Sequence, residues 1–484
     1  MSKGKTISSN IQKGVKWSII DVYGVQGISF SSSLILARLL TPADFGLIGI
    51  SLGTLAVMKS FITFGYSEAL IQDQESKAST LNSIFILNLV MGVLLSALLF
   101  ICAPVISEYY EIAELESIIK LLSIANFIES TTKVQSALFT KELEFKALAI
   151  RKLAAQLVAS LVAIVLALND FGVYALVAQF LIGVVISSIL IWFQSNWRPK
   201  AHFHLGELQR LRPLAQYSLI TGVLNRTSKE VFTFTIAKSF SIAQLGFYSR
   251  ANSSVDFLVS GVSASVNKFL FPMLSRLQID DEKFKERFMH VYYASLILAF
   301  ILISLSFVSA ESIINILFGS QWLESILIFK CLVIRGVTST HYSLVKSAIL
   351  AKRKIREGYI YDNLKRLVEL SSLIGLILGG FNLFLLWLVC AQVVILIIQC
   401  VMIHRAMGYA YYELLNFMMV NLVVFSCGSI YIDFAIDGFE SIIIQDCIRG
   451  LSVFTMIVLK FMIFDRKLLN EVRKTAMNIL RIGR

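Results

Sequence analysis

Two bases and an acid share one face of an apolar stretch that is predicted to form a helix. Residues at intervals of three or four lie on one side of an α-helix, and this face holds Gly222, Arg226, Lys229 or Glu230, and Thr233. Arginine can bind phosphate oxygens in a bidentate manner, and lysine adds a point charge. The pattern therefore indicates an anion-binding face. The alternative is that Arg226 and Glu230, four residues apart, only neutralise each other.

Other bases also lie inside apolar sequence. A charge at the centre of a membrane helix costs roughly 2.5–3.5 kcal/mol, so such charges usually face protein or a water-filled cavity. Five bases lie deep enough to need an explanation: Lys59, Lys133, Arg226, Lys229 and Lys346. Of these, we expect Lys59 to line one cavity together with Arg226 and Lys229.

Three acids lie near the middle of predicted helices and are candidates for ion coupling: Asp21, Glu129 and Glu369. A carboxylate removed from water can take up a proton near neutral pH, as a proton carrier must. Glu129 has a simpler alternative role, because Lys133 follows it by four residues and could neutralise it. Asp21 is the strongest candidate, since the only base near it on its own helix is Lys16 at the helix end.

The composition predicts the elements that position these residues. The sequence is 56% hydrophobic and 16% charged, with a mean hydropathy of +0.74, which excludes an ordinary soluble protein. Apolar runs of roughly 20 residues recur, each long enough to cross about 30 Å of hydrocarbon as a helix. About fourteen such spans are predicted, at residues 15–37, 45–71, 82–106, 116–138, 149–168, 171–193, 214–236, 245–271, 289–309, 324–350, 359–379, 381–403, 412–432 and 442–464.

The distribution of basic residues predicts the orientation. If both termini face the cytoplasm, the cytoplasmic segments hold about 28 lysines and arginines and the opposite side about two, Arg38 and Lys238. This asymmetry is typical of membrane proteins, and it explains the net charge of +12 without nucleic acid as a partner. Residues 465–484 have the pattern of a basic amphipathic helix on the inner membrane surface, with a disordered tail as the alternative.

A weak internal repeat organises the chain. At an offset of 200 residues, LARLLTPADFGL (36–47) aligns with IAKSFSIAQLGF (236–247), and Gly46 aligns with Gly246. We interpret this as a duplication of about six helices, in which each segment is a short external hairpin. The predicted domains are two lobes, 1–197 and 198–405, two additional helices in 406–464, and the tail at 465–484.

Four segments carry a resemblance to a known family: LARLLTPADFGLIGI (36–50), FGYSEALIQD (64–73), LGFYSRA (245–251) and FPMLSRLQIDDEKFKERF (271–288). In these segments the chain resembles the Wzx-type oligosaccharide flippases of the multidrug/oligosaccharidyl-lipid/polysaccharide superfamily. It is most similar to the exopolysaccharide and colanic-acid subgroup.

The resemblance implies an all-α integral membrane fold, with two six-helix lobes around a central cavity and two C-terminal helices. It implies alternating-access, cation-coupled transport of undecaprenyl-pyrophosphate-linked repeat units to the periplasmic leaflet of the inner membrane. O-antigen, exopolysaccharide or capsule biosynthesis would be the pathway. On this view Arg226, Lys229 and Lys59 bind the pyrophosphate. The expected partners are the lipid-linked glycan, the bilayer, and a polysaccharide polymerase or export machinery.

No sequence pattern indicates an enzyme, a cofactor or a metal site. The six cysteines form no CxxC motif and lie mostly in apolar spans, which is typical of small buried hydrophobic residues. No Walker A motif is present, so ATP hydrolysis by this chain is unsupported. Two other functions stay open: a multidrug/cation antiporter of the same superfamily, and a membrane polysaccharide polymerase.

Overall fold

The computed structural model describes residues 2–73 and 75–408. All regular secondary structure in these residues is helical. The chain divides into two compact units, unit 1 (Met1–Ser249) and unit 2 (Arg250–Arg484). The predicted spans 412–432 and 442–464 and the predicted tail 465–484 lie outside the described residues.

Unit 1 contains nine helices in its described residues and the start of a tenth. They are α1 (Ser2–Leu39), α2 (Pro42–Ile62), α3 (Tyr66–Gln72), α4 (Ala78–Tyr110), α5 (Ala113–Ser130), α6 (Lys133–Lys141), α7 (Phe145–Leu168), α8 (Val173–Gln194), α9 (Leu205–Ser239) and α10 (Ile242–Arg276). Helices α4 and α5 pack together, as do α1 and α7, and α7 and α8.

Unit 2 contains the rest of α10 and four further helices in its described residues. These are α11 (Asp281–Val308), α12 (Ala310–Phe318), α13 (Ser325–Ala351) and α14 (Ile355–Met407), with a short 3₁₀ turn at Ser320–Trp322. Its core is formed by buried side chains that include Phe284, Phe288, Tyr292 and Tyr361. Helix α14 is interrupted at Gly379 and Gly380, the position where the sequence predicts the boundary between two spans.

Five of the described helices are long and apolar enough to cross a membrane by length and composition: α2, α4, α7, α8 and α14. The count of fourteen spans therefore stays a prediction.

The two hairpins that carry the predicted repeat have matching local structure. Thr41 and Asp44 form a capping box at the start of α2, where the Asp44 carboxylate accepts a hydrogen bond from the Thr41 backbone N–H at 2.9 Å. Pro42 occupies the first helical position, where a backbone N–H has no partner within the helix, so proline costs no hydrogen bond there. At the start of α10 the Ser241 hydroxyl accepts from the Gln244 backbone N–H at 3.1 Å. The segment Thr41–Asp44 lies between two apolar stretches, and its residues mark the start of α2.

The glycines of these two hairpins allow their backbones to touch. A β-carbon on Gly46 would lie 2.1 Å from the Ile242 carbonyl oxygen, and one on Gly246 would lie 1.8 Å from the Pro42 carbonyl oxygen. Both distances are far below van der Waals contact. The two aligned glycines therefore pack reciprocally, each against the first turn of the other hairpin's second helix.

Candidate functional site

A cavity of about 510 Å³ lies within unit 1, a size that is ordinary for a small-molecule site. Its walls come from α2, the α2–α3 connection, α3, α5, α6 and α9. Three bases and two acids line it: Lys59, Lys133, Arg226, Glu68 and Glu129. The remaining lining is largely hydroxyl-bearing or small, with Ser60, Thr63, Ser67, Ser136, Thr140, Ser218, Gly65 and Gly222 among its residues.

The cavity lies where two predicted membrane spans are broken. The predicted span 45–71 is divided between α2 and α3 by Phe64 and Gly65, whose φ angles are 46° and 76°. Gly65 is required there, because a β-carbon would lie 2.0 Å from the Ala215 carbonyl oxygen of α9. The predicted span 116–138 is likewise divided, between α5 and α6. These breaks bring polar side chains and helix ends to the cavity wall.

One carboxylate joins two lysines in the cavity. The Lys59 Nζ lies 2.5 Å from the Glu129 Oε1, and the Lys133 Nζ lies 3.1 Å from the Glu129 Oε2. The three side chains are 21–29% exposed, so water reaches them in part. The Lys59 ammonium also lies 4.5 Å from the centre of the Phe180 ring, a cation–π contact. The sequence spacing predicts the contact between Glu129 and Lys133, whereas the contact between Glu129 and Lys59 depends on the tertiary structure.

Arg226 is exposed to the cavity from α9. In the described part of the chain, no carboxylate lies within salt-bridge distance of its guanidinium, so the proposed pair with Glu230 is not formed. Glu230 instead accepts a hydrogen bond from the Thr233 hydroxyl at 3.4 Å. Lys229, one position before Glu230, is exposed but is not among the cavity-lining residues. The structure therefore brings Arg226 and Lys59 to one cavity and leaves Lys229 outside its lining.

The other two predicted coupling residues lie elsewhere and have basic partners. The Asp21 Oδ2 is 2.8 Å from the Lys152 Nζ of α7, a base that no pattern within α1 could reveal. In unit 2, the Glu369 Oε1 is 2.8 Å from the Lys365 Nζ one helical turn earlier. The three predicted coupling acids thus lie in three separate charge groups.

A hydrogen-bonded clamp joins the end of α3 to the start of α9. Arg210 donates to both carboxylate oxygens of Asp73, at 2.9 Å and 2.7 Å. The Thr80 hydroxyl of α4 donates to Glu207 at 2.8 Å, which attaches α4 to the same end of α9. The hydrogen bond from Arg210 lowers the pKa of Asp73, because it favours the charged carboxylate. This clamp holds α3, which contributes to the cavity wall, against α9.

Sequence reasoning identified Lys59, Glu129 and Arg226 but did not assign Glu68 or the hydroxyl groups to a site. Glu68 was recognisable only as part of the FGYSEALIQD segment. Within the described residues, no group of three or more histidine, cysteine, aspartate or glutamate side chains is placed to hold a metal ion. The ammonium, guanidinium, carboxylate and hydroxyl groups that line the cavity can pair charges and form hydrogen bonds.

The family model described as "Polysaccharide biosynthesis protein" matches residues 35–327, more than half of the chain. The chain belongs to this family. The matched region includes every cavity-lining residue. The resemblance to polysaccharide transporters that the sequence carries is thereby confirmed, and the family and fold make the chain a multi-pass membrane protein.

Curated relatives are similar over much of their length. The succinoglycan biosynthesis transport protein ExoT of Rhizobium meliloti (strain 1021) is 24% identical over 65% of this chain and 64% of its own length, just under two thirds. The teichuronic acid biosynthesis protein TuaB of Bacillus subtilis (strain 168) is 24% identical over 79% of this chain and 80% of its own. The lipopolysaccharide biosynthesis protein WzxC of Escherichia coli (strain K12) is 22% identical over 84% and 82%.

Solved structures share the fold. The lipid II flippase MurJ, in an inward closed conformation, superposes with a TM-score of 0.73 at 13% identity and covers 94% of this chain and 100% of its own. An inward-facing multidrug resistance MATE family transporter of the MOP superfamily reaches a TM-score of 0.53 at 14% identity, over 82% of this chain and 96% of its own. These similarities support the predicted all-helical transporter fold.

Proposed function

We propose that the chain is a flippase that moves undecaprenyl-pyrophosphate-linked oligosaccharide from the cytoplasmic to the periplasmic leaflet of the inner membrane. The observation that carries the proposal is the unit 1 cavity, in which Lys59, Lys133 and Arg226 outnumber the carboxylates. A lipid diphosphate carries about two negative charges, and such a site would bind it by charge-assisted hydrogen bonds. The names of the relatives, which are proteins of succinoglycan, teichuronic acid and lipopolysaccharide biosynthesis, support the same substrate class.

The lining also suits a sugar next to the phosphate. Hydroxyl groups line the cavity from three elements, at Ser60 of α2, Ser67 of α3 and Thr140 of α6. Hydroxyl groups both donate and accept, as sugar hydroxyls do. Glu68, which is exposed in the same wall, adds an acceptor with a full charge. We propose that Arg226 and Lys59 hold the pyrophosphate and that this polar wall contacts the sugar attached to it.

The second candidate, a multidrug antiporter, shares the fold but fits the charge less well. MATE transporters are among the structural neighbours, so the fold does not separate the two functions. A cationic drug would meet Arg226, which has no salt-bridge partner in the described part of the chain. Repulsion between like charges across a partly desolvated site disfavours such a ligand.

The finer architecture belongs to the same proposal. It comprises fourteen spans, two duplicated lobes, both termini in the cytoplasm, alternating access, and cation coupling through Asp21 or Glu369. The matching caps at Thr41 and Ser241 and the reciprocal packing of Gly46 and Gly246 support the duplication.

The test is exposure of a labelled undecaprenyl-pyrophosphate oligosaccharide in sealed proteoliposomes, with and without an imposed proton gradient. Protein-dependent transfer to the opposite leaflet that the gradient accelerates is the expected result. Failure to expose intact lipid with several glycans, together with gradient-dependent efflux of an organic cation, would favour the multidrug antiporter.

A further inference from the structure

We infer that Glu129 is a positioning residue that occupies the place of the substrate phosphate when the cavity is empty and gives up one of its two lysines to the phosphate on binding. The inference rests on the proposed function and assigns a regulatory role within the same cavity. It differs from ion coupling, the role that the sequence suggests for Glu129, because the carboxylate stays charged throughout.

The geometry supports the inference that the Glu129 carboxylate takes the place of a phosphate group in the empty cavity. A single carboxylate presents its two oxygens to two different ammonium groups, Lys59 at 2.5 Å and Lys133 at 3.1 Å. A phosphate group offers the same arrangement, since several oxygens on one atom can each accept from a separate base. Glu129 therefore holds the two lysines at a spacing that suits an anion with more than one acceptor oxygen.

The charge balance explains why such a substitute is useful. Without Glu129, the empty cavity would expose the charges of Lys59, Lys133 and Arg226 together, and like charges repel strongly in a partly desolvated site. Glu129 removes one of these three charges when no substrate is bound. When a diphosphate enters with about two negative charges, it can neutralise Arg226 and one lysine while Glu129 keeps the other.

Two consequences follow for transport. Glu129 competes with the substrate, so it weakens binding and assists release on the far side of the membrane. It also lowers the positive charge of the empty cavity, so the return step, in which the empty cavity reorients, depends on it. Exchange of one lipid for another requires no reorientation of the empty cavity. We therefore expect exchange to be much less sensitive than net flipping to the loss of Glu129.

The test compares Glu129→Gln with the wild type in three measurements on the full chain: binding of undecaprenyl diphosphate in nanodiscs, net flipping, and lipid exchange in proteoliposomes. We expect the variant to bind undecaprenyl diphosphate roughly tenfold more tightly, as loss of one competing charge-assisted hydrogen bond predicts. Net flipping is expected to fall at least several-fold while exchange is retained.

The matched control is Glu116→Gln. Glu116 lies on α5 as well and pairs with Lys120 four residues later at 2.6 Å, the same sequence spacing as Glu129 and Lys133, but it does not line the cavity. We expect it to bind and flip as the wild type does. Glu129→Asp, which keeps the charge, should bind like the wild type and recover part of the net flipping.

Unchanged or weaker binding by a folded Glu129→Gln protein would overturn the inference. Loss of gradient dependence with binding unaltered would also overturn it and would assign Glu129 to ion coupling instead. If Glu129→Gln does not fold, Glu129→Asp keeps the inference testable: a partial fall in net flipping with exchange retained supports the role, and equal loss of both contradicts it. A wild type that does not bind undecaprenyl diphosphate at all would instead refute the proposed function.

Discussion

Unit 1 and unit 2 arrange the charges of their predicted spans differently. In unit 1, Glu129 is shared by Lys59 and Lys133, and Arg226 faces the same cavity. In unit 2, two carboxylates of the predicted spans have a lysine each: Asp362 lies 2.7 Å from Lys346, and Glu369 lies 2.8 Å from Lys365. Unit 1 therefore keeps an excess of positive charge that a ligand can neutralise, whereas these two pairs of unit 2 are already balanced.

The unit 2 pairs also join elements. Lys346 and Tyr342 lie on α13 and both bond to Asp362 on α14. Such a group holds two helices together without leaving charge for a ligand. Similar residue types thus line a cavity in one unit and join two helices in the other, and the difference lies in how many bases share each carboxylate.

The largest effect is expected for Arg226→Ala, which removes the base that lacks a carboxylate partner in the described chain. Loss of a charge-assisted bond to phosphate should lower net flipping at least roughly tenfold. Lys229→Ala, on the same helix but outside the cavity lining, should have a much smaller effect. Leaflet exposure of labelled lipid, normalised to reconstituted protein, measures both. Equal losses for the two variants would show that the cavity does not define the site.

In unit 2 we expect a loss of stability rather than of affinity. Lys346→Ala leaves the Asp362 carboxylate without its lysine, which should cost about 1–3 kcal/mol of folding stability. The double variant Lys346→Ala/Asp362→Ala should regain much of it. Thermal unfolding in detergent and binding of undecaprenyl diphosphate test the two properties separately. Weaker binding at unchanged stability would contradict the division between the units.

A smaller effect is expected for the candidate coupling residues outside the cavity. Asp21→Asn should reduce the acceleration of flipping by a proton gradient a few-fold, because the amide cannot exchange a proton. Glu369→Gln should change it less, since Lys365, one turn earlier on the same helix, already gives Glu369 a local structural partner. Flipping rates with and without the gradient provide the ratio. Asp21→Asn protein with the full gradient response would remove Asp21 as the coupling residue.

The smallest effect is expected at the clamp between α3 and α9. The hydrogen bond from Arg210 lowers the pKa of Asp73 in the folded protein. The clamp therefore adds its full share of folding stability above the ordinary carboxyl pKa of about 3.9. This stability is lost only as the pH falls through the lower pKa of the folded state. Asp73→Ala should therefore cost about 0.2–1 kcal/mol, by an amount that stays constant between about pH 5 and 8. Unfolding measured across this range checks it, and a cost that changes there would contradict the assignment.

Much of the fold could be predicted because its determinants are local. The helix start at Thr41–Pro42, the interruption of α14 at Gly379–Gly380, and the membrane class all follow from neighbouring residues and composition. The breaks inside the predicted spans 45–71 and 116–138 were missed, because hydropathy continues across the first and only the short polar stretch 129–133 marks the second. What distinguishes Gly65 is its contact with Ala215, 150 residues away in the chain.

By itself, the sequence determined the membrane class, the family, the helical stretches and which charges are unusual, since these depend on composition, periodicity and short motifs. Only the tertiary structure decided how those charges combine. It placed Lys152 beside Asp21 and Lys59 beside Glu129, it brought Arg226 to the same cavity, and it left Lys229 outside. The physical reason is that a salt bridge depends on a few ångströms between side chains, and packing between helices distant in the chain sets those distances.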